Sequence, residues 1–159
     1  MVEPVPVPER PLSFDEQAQV LIGKSLATSS RLLSEGSGRQ AVQELLWLLE
    51  TITTAFKGTA KSEGTVSGKY FTTIIKELRA DKRGTHQDRI FEWIERLHGY
   101  LSAPTGGGVR HGQDLAEGIA MNFNEAFLYC NLIRSYITYL LEEHQRLKET
   151  ARRPTPSLF

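Results

Sequence analysis

Apolar residues recur along this chain at steps of three and four, the spacing that gathers side chains on one face of an α-helix. No stretch alternates convincingly with period two. The first run follows Ser13-Phe14-Asp15-Glu16, a helix start with Ser13 as N-cap and Glu16 in the capping-box position. Ala18, Leu21, Ile22, Ser25, Ser29, Leu32 and Leu33 continue it until Gly36. After the Gly36-Ser37-Gly38 break, Val42, Leu45, Leu46, Leu49 and Ile52 predict a second helix, and the branched side chains of Thr51, Thr53 and Thr54 weaken helix propensity at its end. Residues 57–68 are polar and punctuated by glycine, so a loop is expected there. A third helix carries Tyr70, Phe71, Ile74, Ile75 and Leu78, followed by a basic turn from Arg79 to Gly84. A fourth carries Ile90, Phe91, Ile94, Leu97 and Leu101 and ends at Pro104. Asn122 or Asn124 caps a long final helix whose buried stripe is Ala126, Cys130, Ile133, Ile137, Leu140 and Leu141, with Tyr129 and Tyr136 beside it. The pattern predicts an all-α fold, an up-and-down bundle of four or five helices without internal repeats.

The ends of the chain read differently. Pro4, Pro6, Pro8 and Pro11 block helix formation in the first dozen residues and favour an extended, polyproline-like arm. The expected organisation is therefore an arm over 1–12, a helical domain over 13–150 and a tail over 151–159. With 159 residues and 40% hydrophobic positions, the chain has the apolar content of one domain with a single core. Nineteen basic and nineteen acidic residues balance, so no global basic field exists and any nucleic-acid contact must be local. The single cysteine, Cys130, excludes an internal disulfide and falls in a helical apolar pattern, which predicts a buried thiol and fits a reducing compartment. No apolar run reaches the ~20 residues that span a bilayer, and the N-terminus lacks a secretory layout, so a cytoplasmic protein without membrane contact is expected.

The densest candidate chemistry lies in Gly106-Gly107-Gly108-Val109-Arg110-His111-Gly112. Consecutive glycines are entropically costly unless the main chain must turn tightly or approach something closely. Arg110 supplies a fixed cation and His111 a general acid or base near neutral pH, a pairing suited to metal-free phosphodiester chemistry. The same residues also fit a structural turn in which Arg110 pairs with Asp114 or Glu117. Gly106, Gly107, Gly108 and Gly112 would form the ligand-binding loop, and His98, at the end of the fourth helix, would join it. His86, His98, His111 and His144 have no zinc spacing, so neither a metal nor another cofactor is expected. His144 falls in the polar end of the last helix, where a solvated histidine is expected. Gly64-Thr65-Val66-Ser67-Gly68-Lys69 is one residue short of a phosphate-binding loop, is followed by Tyr70 where Ser or Thr should stand, and reads as a turn.

Taken in order, Leu26-Ala27-Thr28-Ser29-Ser30-Arg31-Leu32-Leu33-Ser34-Glu35-Gly36, Ala41-Val42-Gln43-Glu44-Leu45-Leu46-Trp47-Leu48-Leu49-Glu50, the loop ending Gly108-Val109-Arg110-His111-Gly112, and Asn124-Glu125-Ala126 resemble the HEPN-like helical domains, specifically the C-terminal domain of abortive-infection proteins of bacterial phage defence. The resemblance covers roughly Phe14 to Leu147. It implies a homodimer, RNA as ligand or substrate, and a protein partner from a defence system. Active members of the family are metal-independent RNases with an arginine, usually followed by a polar residue, and a histidine after four to six intervening residues. This chain departs from that pattern. Leu115, Ala116 and Glu117 stand where a histidine should follow Arg110, and Pro104, Thr105 and Gly106 stand where an arginine should precede His111. Arg79 and His86 satisfy the spacing by count, but they precede the fourth helix and Ala80 comes next.

Three functional readings follow. The first is a HEPN-like domain with a binding or regulatory role in phage defence or RNA-linked stress response. The second is a metal-independent endoribonuclease in which Arg110 and His111 of two subunits form a composite site. The third is a structural interaction module using the Pro-rich arm and the aromatics Trp47 or Trp93.

Overall fold

The computed structural model describes residues 4–7, 15–103 and 120–152. They form five helices: α1 (Glu16–Ser34), α2 (Gly38–Thr54), α3 (Phe71–Asp81), α4 (His86–Ser102) and α5 (Phe123–Arg152). The all-α expectation holds among the described residues, whose only β pairing is an isolated antiparallel bridge between Ala60 and Thr65.

The second helix is the centre of the fold. Ala41, Val42, Leu45, Leu46, Leu48, Leu49, Ile52 and Thr53 are all buried, an arc of about 160° at 100° per residue. That arc is wide enough to meet three neighbours, and α2 packs against α1, α5 and α3, while α3 packs on α4. Small groups let the backbones close up where α1, α2 and α5 meet. Ser29, 2% exposed, donates its hydroxyl to the Ala41 carbonyl at 2.9 Å and lies 4.0 Å from the Cys130 sulfur. Cys130 is buried, as its pattern predicts, and burial pushes its thiol up to about 11.

Helix boundaries follow local chemistry. Asp15, not Ser13, caps α1: its side chain accepts the Ala18 N–H at 2.8 Å, which satisfies one of the donors that the first turn leaves without a helical partner. Ser13 lies outside the described residues. Gly36 closes α1 at φ +85°, a conformation that side chains resist. Leu21, expected in the α1 stripe, is instead 49% exposed, because α1 offers only a narrow face, chiefly Ile22, Ser29 and Leu33. Arg79, expected in a turn, lies inside α3, held by Asp88 at 3.0 Å, Glu92 at 3.0 Å and Glu95 at 3.5 Å from α4. Of the two candidate caps for α5, Asn122 performs the role. Its side chain accepts the Glu125 N–H at 2.8 Å, and Glu125 accepts the Asn122 N–H at 3.0 Å.

Part of the Pro-rich arm also has a place. Val5 donates its N–H to Asn131 at 2.9 Å and accepts from Arg134 Nε at 2.6 Å, so two α5 side chains one turn apart hold both main-chain groups of one residue.

Gly38 sets the approach of α2 to α5. A Cβ there would lie 2.6 Å from Ala126 Cβ, well inside van der Waals contact. Gly38→Ala should therefore lower unfolding stability by about 1–3 kcal/mol in denaturant titration, and Ala126→Gly in the same background should restore most of the loss. Full stability of the single variant would show that the two helices part freely.

Candidate functional site

Three helices, α2, α3 and α4, and the loop before α3 line the one cleft that holds a predicted site residue. His98 comes from the last turn of α4, Glu50 from α2 and Phe71 from the first position of α3. Glu50 sits at the edge of the buried arc of α2, one residue past Leu49, so its carboxylate reaches the cleft wall without entering the core. Its Oε1 lies 2.7 Å from His98 Nε2. A carboxylate only accepts hydrogen bonds, so Nε2 carries the proton and the imidazole is fixed in one orientation. Phe71 stacks on the ring with centroids 4.0 Å apart and planes at 30°. His98 is 8% exposed, so only a small part of the ring is open to the cleft.

The cleft in front of this pair encloses about 350 Å³ and is lined also by Thr51, Thr54, Lys69, Tyr70 and Thr72. Tyr70, expected within the apolar stripe of the third helix, is instead its N-cap residue and 74% exposed. An N-cap residue lies outside the helical spiral, so its side chain does not follow the stripe. The Thr73 hydroxyl holds it, accepting the Tyr70 N–H at 3.2 Å and donating to the Tyr70 carbonyl at 2.9 Å. The result is an ammonium, an exposed aromatic ring and a carboxylate-oriented imidazole around one opening. That set can bind an anion, stack on a planar group and exchange a proton.

Lys69 and Tyr70 are positioned by the loop before α3, the stretch with a partial likeness to a phosphate-binding loop. It forms a closed turn. Gly58 and Gly64 take φ +83° and +79°, Val66 plugs the core at 2% exposure, and Gly58 donates to the Val66 carbonyl at 2.8 Å. The amides that could have met a phosphate are taken by Glu77 of α3, whose carboxylate accepts the Gly68 N–H at 2.6 Å and the Ser67 N–H at 3.2 Å. These backbone bonds, with help from the Ser67 hydroxyl and Lys61, hold the Glu77 carboxyl down to about 2. Asp81, one turn further, accepts the Ser62 N–H at 2.9 Å.

Of the predicted site residues, only His98 is described. Gly106, Gly107, Gly108, Arg110, His111 and Gly112 lie outside the described residues, in the segment that follows α4. His144 departs from the solvated position expected of it: it is 3% exposed, its Nε2 donates to the Ala55 carbonyl at 3.1 Å, and its ring meets Phe56 edge-on at 5.4 Å. The polar sequence around it misleads because the inner stripe of α5 continues past the apolar run, and His144 falls on it one turn past Leu140 and Leu141. Lys69, Tyr70 and Phe71 are consecutive, but no sequence spacing links them to Glu50 on α2 or to His98 on α4, which the packing of three helices brings to the same cleft. Among the described residues no group of three His, Cys, Asp or Glu side chains could hold a metal, and no helix is long and apolar enough to cross a membrane.

No protein family, curated protein or solved structure matches the chain.

Two predictions follow from the titrating groups. Burial, reinforced by Lys148, lowers the pKa of His144. The unfolded chain therefore binds a proton that the folded one refuses. The stabilisation is complete above about pH 6.5 and is lost as pH falls through the lowered folded value. Thermal midpoints of the wild type should fall more steeply than those of His144→Gln as pH drops below about 6.5, since glutamine keeps a donor for Ala55 and does not titrate. Parallel profiles would refute the assignment. Glu77→Ala should speed hydrogen exchange of the Ser67 and Gly68 amides by roughly tenfold or more, with α5 amides unchanged. Unaltered exchange would mean that the loop holds itself.

Proposed function

We propose that the chain is a HEPN-like helical domain that binds RNA through the His98 cleft, serving a binding or regulatory role in bacterial phage defence or RNA-linked stress response. The observation that carries this reading is the His98–Glu50 pair at 2.7 Å on the wall of a cleft that also presents Lys69 and exposed Tyr70. A cation and an open aromatic face are what a single-stranded nucleic acid needs, the first for a phosphate and the second for a base. The all-helical architecture and the order of the resembling segments support the family. In this reading the domain works in the cytoplasm as a homodimer.

A second reading, a metal-independent endoribonuclease, is favoured by the same pair. A carboxylate-oriented imidazole is the arrangement that moves a proton to or from a ribose hydroxyl, and Lys69 at the same cleft supplies a cation for the developing phosphorane charge.

The test is binding and cleavage of a mixed RNA pool in EDTA. Lys69 and Tyr70 are exposed, so replacing them leaves the fold intact. Lys69→Ala and Tyr70→Ala should each weaken RNA binding, the second by about 1–3 kcal/mol for a lost stacking contact, with thermal midpoints unchanged. Equal binding by both variants would sink the assignment of the cleft. Cleavage that disappears in Glu50→Gln or His111→Ala would establish the nuclease, and the absence of cleavage by an RNA-binding wild type would leave the regulatory role.

A further inference from the structure

Charge along α3 is sorted by face. Its two acids point toward the preceding loop, where Glu77 takes the Ser67 and Gly68 amides and Asp81 takes the Ser62 amide. Its bases lie elsewhere. Thr72, Lys76, Ala80 and Arg83 follow one another at steps of three and four residues and are all exposed. Thr72 lines the His98 cleft, while Lys76, Ala80 and Arg83 line a second open cleft of about 260 Å³ together with Arg79 and Asp88. The two clefts therefore sit toward opposite ends of α3: the exposed helix face runs for about 13 Å from residue 72 to residue 81 at 1.5 Å per residue, and Arg83 extends it in the turn that follows the helix.

The charge on this face is not neutralised locally. Arg79, Arg89 and Arg96 are set against Asp88, Glu92 and Glu95 in one balanced network along α3 and α4. Asp88, the carboxylate at the rim of the second cleft, is held below its usual range by the Gly84 N–H and by Arg79. No carboxylate among the described residues forms an ion pair with Lys69, Lys76 or Arg83. In a chain of zero net charge, these three cations form a local stripe that ends at the exposed ring of Tyr70.

We propose that the exposed face of α3 and the turn that follows it form a track for the phosphate backbone of a single nucleic-acid strand, with Lys76 and Arg83 holding phosphates of the segment that enters the His98 cleft. The track rests on the reading of that cleft as an RNA contact and extends it to a defined path. Phosphate contacts fix the register of the strand and carry no base preference, whereas Tyr70 stacks on a base at the inner end.

Fluorescence anisotropy with labelled oligouridylates of four and twelve nucleotides, titrated between about 50 and 200 mM salt, tests the path. Lys76→Ala/Arg83→Ala should weaken binding of the long oligonucleotide by about fivefold or more. It should also reduce the slope of log affinity against log salt by about 1.4, two phosphates at about 0.7 each. The short oligonucleotide, which the cleft holds alone, should bind the double variant as it binds the wild type, and Tyr70→Ala should weaken both. A single-stranded DNA of the same length should show the same loss in the double variant, since the track reads phosphates. Unchanged affinity and slope in the double variant, with Tyr70→Ala still weakening both RNAs, would overturn the track and leave the cleft standing. Failure of the wild type to bind either RNA would overturn the cleft and the track together, and tighter binding of double-stranded than single-stranded RNA would overturn the single-strand path.

Discussion

Burial of α2 on about half its circumference is the constraint from which the rest of the molecule follows. A helix with so wide an apolar arc has to be covered on several sides at once, each fully buried Leu or Ile contributing about 1.5–3 kcal/mol, and α1, α5 and α3 supply that cover. The cover is close because the junction residues are small. Gly38 abuts Ala126, and Ser29 bridges to the Ala41 carbonyl beside Cys130. Polar groups caught inside are answered individually, as when His144 of α5 meets the carbonyl of Ala55 at the end of α2. The cleft exists because the buried arc has an edge, and Glu50 stands on it.

The second organising device is the use of acids as internal anchors. Glu77 and Asp81 grip the loop that leads into α3, and Asp88, Glu92 and Glu95 grip Arg79 across to α4. Exposed ion pairs contribute little to stability one by one, but these have a positional consequence. By turning its carboxylates inward to backbone amides, α3 leaves Lys76 outward, and Arg83 in the turn beyond it is outward too, so a chain with balanced charges presents a basic strip. The same anchoring sets Lys69 and Tyr70 at the mouth of the cleft. The partial likeness of the 64–69 segment to a phosphate-binding loop is resolved in this way: its amides do serve a carboxylate, and the carboxylate is the protein's own.

The cleft's chemistry was only partly legible beforehand. His98 could be singled out because it closes a helix next to a glycine-rich segment. Its partner Glu50 could not, because it reads as the polar residue that ends an apolar run on a helix 48 positions away. Helical spacing places Tyr70 on an apolar stripe that in fact begins at Phe71, and that one residue reverses its exposure. His144 failed in the opposite direction, since flanking charges describe the neighbours of a residue and not the face it occupies.

What the sequence by itself determined is the set of helices, their approximate limits and the inward stripes of α2, α4 and α5, because three- and four-residue periodicity and capping are local properties encoded within a turn or two. The tertiary structure decided which polar residues meet. The pairing of His98 with Glu50, the capture of the loop amides by Glu77 and the separation of charge on α3 all depend on how helices distant in sequence are rotated against one another. That rotation is set by packing around α2 and by the contact of Gly38 with Ala126, which no single segment encodes.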